Sequence, residues 1–166
     1  MMIAPPASFV SLVQRWAVYY SDSHLAQTVV TFAHIGGLVV GGGVAIAADR
    51  ATLRMASDVD RRRHLLEISQ AHRLVITSLA IVVISGLLLF ASDLETHWAS
   101  PIFWTKMILV VALLANGARM QRIEKKSALE TVISSAHWSA LRGAAIASVV
   151  LWLAITLAGV ALINYA

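Results

Sequence analysis

LVITSLAIVVISGLLLFA, residues 74 to 91, has no formal charge, and only Thr77, Ser78 and Ser85 are polar. A water-soluble helix needs a polar face, and this stretch offers none on any side. Crossing the hydrocarbon of a bilayer takes about 20 apolar residues in a helix, so the segment reads as a membrane span. Three further stretches are similarly apolar, at about 28–48, 101–118 and 144–163, of which 101–118 carries Lys106. The whole chain is 58% hydrophobic and 13% charged over 166 residues, against roughly 25% charged in soluble domains. We therefore expect an all-α membrane protein, a bundle of four transmembrane helices. Pro101 suits a first helical turn, where its missing N–H costs nothing.

The loops orient the bundle. Arg50, Arg54, Arg61, Arg62, Arg63 and Arg73 lie between the first two spans, and Arg119, Arg122, Lys125, Lys126 and Arg142 between the last two. The loop between the second and third spans holds Asp93 and Glu95 but neither Lys nor Arg. Basic loops stay in the cytoplasm, so the expected topology is N-out and C-out, multi-pass in a bacterial inner (plasma) membrane. The net charge of +4 is no sign of nucleic-acid binding, because these residues flank apolar spans, where they set topology and meet anionic lipid headgroups.

Residues 1–23 form a separate N-terminal segment and 24–166 the transmembrane domain. The apolar run of the segment is broken by Gln14, Arg15, Tyr19 and Tyr20. It lacks the basic start and clean apolar stretch of a cleavable signal peptide. A short interfacial helix from Ser8 to about Tyr20 is expected instead, with Trp16, Tyr19 and Tyr20 at headgroup level. Asp58 to Gln70 (DVDRRRHLLEISQ) contains no breaker, so the second spanning helix should project about three turns into the cytoplasm.

Lipid is as apolar as leucine, so helices in a membrane pack closely through small residues. Gly37 and Gly41 stand four apart in the first span. Ser78, Ser85 and Ser92 form a heptad stripe beside Gly86 in the second. Ala144 and Ser148, then Thr156 and Gly159, mark the fourth. Such faces serve packing within a bundle, and a Gly-rich face also suits a homodimer or a larger membrane complex.

Polar groups within spans are costly and are the first candidates for function. His34 lies roughly 9 Å below the outer end of the first span, and Lys106 roughly 8 Å below the same surface, by helix rise. Lys106 has a stem long enough to snorkel outward; His34 has not, which points it at a polar interior. Asn116 is the other polar group of the third span. His24, at the outer end of the first span, and His97, in the outer loop, complete a set with His34 whose imidazoles suit copper or another transition metal. Haem b is the competing cofactor, held between facing histidines. His72 lies about 18 Å below His34 by rise, so one iron cannot join them; the pairs left are His72 with His137 at the inner face and His34 with His97 at the outer, neither well inside the membrane. At the inner face Arg61, Arg62, Arg63 and Arg73 form a basic collar that fixes topology and binds anionic headgroups, with His64 and Glu67 three apart on one helix side. There is no cysteine, Walker loop, HExxH or GxSxG, and no nucleophile beside a base, so an enzyme is unsupported. The four apolar windows contain no acidic residue, which argues against a carboxylate-driven proton transporter.

Several short motifs resemble the CopD-like copper-resistance membrane domain and related small bacterial four-span proteins. They are AHIGG at Ala33–Gly37, the Ser85–Gly86 pair, SPIFWTK at Ser100–Lys106 and Asn116–Gly117, within residues 28 to 120. The resemblance implies an inner-membrane protein concerned with copper at the periplasmic side, and it picks out His34 and Lys106. The chain has no methionine-rich tract. Three functions follow as expectations: metal handling near the periplasmic face, haem-based electron transfer, and a non-catalytic accessory subunit.

Overall fold

The structure, a computed structural model, describes residues 7–55, 58–129 and 134–165, apart from some side chains, notably those of 58–71. Its helices are α1 (Ala7–Asp22), α2 (His24–Arg54), α3 (Asp58–Ser92), α4 (Leu94–Ala99), α5 (Pro101–Leu129) and α6 (Ser135–Tyr165). Four are long and apolar enough to cross a membrane: α2, the His72–Ser92 part of α3, the Pro101–Ser127 part of α5, and α6. The chain is thus an all-helical, four-span membrane protein with a short N-terminal helix.

Each spanning helix runs beyond its apolar window, most consequentially α2, which continues from Ala48 to Arg54. Backbone hydrogen bonding does not stop at the first charged side chain; a helix ends where a cap or an extended residue stops it. Ser23 caps the start of α2, its hydroxyl accepting from the Ala26 N–H at 3.2 Å, and Met55 ends it in extended backbone. The side chain of Gln27 donates to the carbonyls of Tyr20 and Ser21, both at 3.0 Å, fixing the corner with α1. Residues 58–70 are helical as expected and belong to α3. The side chains of Arg61, Arg62, Arg63, His64 and Glu67, and so the pairing of the last two, lie outside the described residues.

The bundle shows an inverted surface. Phe32, Ile108 and Leu157 are each at least 70% exposed, a wasteful arrangement in water and the expected one where lipid is the solvent. Small residues face inward instead. Ala144 and Ala145 are fully buried, and Ser78 and Ser85 nearly so. Gly37 and Gly41 let α2 press directly on α3: a Cβ on Gly41 would stand 2.8 Å from Ser78 Cβ.

The four spans form an open arc, in the order α3, α2, α6, α5. The α2–α3 and α5–α6 faces are extensive and α2 meets α6, whereas α3 and α5 barely touch. Asn116 ties α5 to α6 by donating to the Ala144 carbonyl at 2.9 Å. α1 lies against α3 and α2, pinned by the Trp16 indole N–H, which donates to the Leu88 carbonyl at 2.8 Å. Tyr19 and Tyr20 pack around that indole, with ring centroids 5.8 and 5.7 Å away.

Candidate functional site

Polar groups gather at two levels of the bundle. The outer level is built on His34. Its Nδ1 lies 3.1 Å from both the Val82 carbonyl and Ser85 Oγ, while Ser85 Oγ donates to the Ile81 carbonyl at 2.6 Å. A carbonyl only accepts, so the geometry assigns the proton to Nδ1 and leaves the lone pair on Nε2. Gly86 makes room for the ring: a Cβ there would stand 3.1 Å from His34 Cε1. Across the bundle, Lys106 reaches to α6, where a Cβ on Gly159 would be 3.6 Å from Nζ. Lys106 lies near enough to His34 for its ammonium to oppose a second proton on that ring.

The other two outer histidines stand apart from this site. His97 donates from Nδ1 to the Asp93 carbonyl at 2.6 Å and packs edge-on against Phe90 and Phe103. His24 opens α2 on an exposed turn. Among the described residues no three or more His, Cys, Asp or Glu side chains are grouped so as to hold a metal ion. His24, His34 and His97 therefore do not form one shell in this structure. Of the inner pair, His72 is engaged by Glu124 and His137 sits in the first turn of α6. Arg73 is exposed at the same end.

The inner level is a site that the apolar windows hid, and it corrects the expectation that the spans hold no acidic side chain. Asp49 is 3% exposed and lies near enough to Ser148 of α6 for that hydroxyl to act on its carboxylate. Ser148 is thirteen residues into α6, about 20 Å by helix rise, so Asp49 is level with the middle of that helix. Glu124 lies close enough to Asp49 for the two charges to interact, and its Oε2 is 3.4 Å from His72 Nδ1. One oxygen of each carboxylate, Asp49 Oδ2 and Glu124 Oε1, is buried with no hydrogen-bond partner among the described residues.

Asp49 opens on a cavity of about 220 Å³, also lined by His72, Gln121, Ser148, Met120 and Trp152. Ile76 of α3 and Leu114 of α5 line it too and are 53% and 46% exposed. Exposed residues of α3 and α5 thus border the cavity on the side where those two helices touch least. A linear signal for this site does exist. Ala45, Asp49 and Thr52 continue one face of α2 beyond the apolar window, and Leu113, Gly117, Met120 and Glu124 do the same on α5.

Comparison of the chain with protein families, characterised proteins and solved structures returned no match.

Proposed function

We propose that this is a bacterial inner-membrane protein that binds and exchanges a cation within the bilayer, at the chamber lined by Asp49 and His72, with Glu124 beside them. One observation carries the reading: Asp49 is buried at the wall of a cavity near a second carboxylate, and its Oδ2 has no hydrogen-bond partner among the described residues. A charge in that setting costs several kcal/mol unless an opposite charge meets it. Among the described residues two carboxylates stand near one histidine, and a proton or another cation would balance them. Intramembrane chains of Asp, Glu and His mark proton and ion pathways.

The CopD-like resemblance supports copper as such a cation. The imidazole of His72, the thioether of Met120 and the carboxylates are donor types that transition metals accept. On this reading the basic loops put the chamber in the cytoplasmic half of the membrane, with His34 and Lys106 in the periplasmic half.

The test is equilibrium dialysis of the purified protein in lipid nanodiscs against copper(I), followed by metal analysis and by proton release on cation addition. Wild type and His34→Ala are expected to behave alike, and Asp49→Asn to lose both responses. Loss in His34→Ala with retention in Asp49→Asn moves the cation to the outer level. An Asp49→Asn protein indistinguishable from wild type in both measurements sinks the cation reading.

A further inference from the structure

The walls of the inner chamber make a demand that a bare ion does not use. They are largely apolar, from Leu79, Leu113, Val75 and the ring of Trp152, and the polar groups are confined to one end. Ile76 of α3 and Leu114 of α5, both exposed, border the chamber where those helices barely touch. At about 220 Å³ the chamber is smaller than the roughly 300–1,000 Å³ pockets that enclose a drug-sized ligand. It has space for a head group whose apolar remainder stays in the bilayer. Asp49, a side chain only 3% exposed, lines that space, and its Oδ2 has no hydrogen-bond partner among the described residues. Trp152 adds an aromatic ring of the kind that attracts quaternary ammonium groups.

We propose that the chamber takes a lipophilic organic cation, an alkyl- or aryl-ammonium, which reaches it laterally from the bilayer between α3 and α5. Its cationic head meets Asp49, and its apolar part lies along the α3 and α5 walls. This rests on the reading of the chamber as a cation site and names a substrate class for it.

The experiment uses the full chain in lipid nanodiscs, titrated calorimetrically with benzyltrimethylammonium and with neopentylbenzene, which has the same shape without the charge. Saturable binding of the cation alone is expected, weakened by about tenfold or more in Asp49→Asn, since truncating one partner of a buried charge pair acts chiefly on release. Leu114→Trp, at the opening and away from the carboxylates, is expected to slow association. Should Asp49→Asn fail to fold, Glu124→Gln and Leu114→Trp carry the same test. Equal binding of neopentylbenzene overturns the proposal, as does full-strength cation binding in the carboxylate variant that folds. Asp49-dependent copper binding with no binding of benzyltrimethylammonium removes this substrate class and leaves the cation chamber standing. Loss of both removes both.

Discussion

Gly41→Ala is the sharpest test of how α2 and α3 meet. The added methyl would sit 2.8 Å from Ser78 Cβ, whereas carbon atoms rest at about 3.5–4.0 Å. The helices must therefore part by roughly 0.7 Å or more at this crossing. Ser78 Cβ is attached to its backbone and cannot rotate away as a side-chain tip would. Overpacking of this kind costs about 1–3 kcal/mol. Gly43, two residues along the same helix, is the control, because a Cβ there meets nothing within 4 Å. Alanine in its place relieves the entropic cost of glycine and gains up to about 0.5–1 kcal/mol. The two variants are expected to differ by about 2 kcal/mol or more, in opposite directions from wild type. The assay is equilibrium unfolding in mixed micelles of mild detergent and SDS, followed by circular dichroism and tryptophan fluorescence. If Gly41→Ala and Gly43→Ala agree within about 0.5 kcal/mol, the close α2–α3 contact is wrong. The placement of His34 against Gly86 would fall with it, because it rests on the same interface.

Three more outcomes follow from single contacts. Ser85→Ala removes one partner of the His34 ring and should cost about 0.6–1 kcal/mol in the same unfolding assay, with a changed imidazole nitrogen shift by NMR. Trp16→Phe keeps the ring bulk but deletes the 2.8 Å bond to the Leu88 carbonyl. It should free α1 by about 1 kcal/mol, read as faster amide exchange across residues 8–22 while the four spans stay protected. Lys106 has no carboxylate partner among the described residues, so Lys106→Met should stabilise the bundle. The gain should be about 1 kcal/mol, less than the roughly 2.5–3.5 kcal/mol for a charge at the bilayer centre because the site is shallow; a loss of stability would mean that the ammonium is held by a partner.

How much of this was legible in the linear sequence differs from site to site. Spans and loops were legible because hydropathy and charge act as local sums: eighteen residues without a charge exclude water whatever surrounds them. Helix rise also gave His34 and Lys106 an expected depth, since it converts position into distance. The small residues Gly37, Gly41, Ser85 and Gly159 were recognisable as packing faces, yet nothing in their spacing says that Gly86 receives the His34 ring or that Gly159 leaves space for Lys106.

The inner chamber was missed for a definite reason. An apolar window ends at the first charge, and Asp49 stands one residue past that boundary, with Glu124 beyond the corresponding edge on α5. Whether such a carboxylate meets water or protein depends on what the neighbouring helices place opposite it. Here α6 supplies Ser148 and α3 supplies His72, neither close in sequence to its partner. The number of spans, and the expected direction and depth of what they carry, thus came from the chain itself, through the transfer of side chains between water and lipid. The pairing of α2 with α3 and of α5 with α6, the gap between α3 and α5, and the burial of two acids beside that gap were decided only by tertiary packing, because close contact between helices depends on faces brought together from distant parts of the sequence.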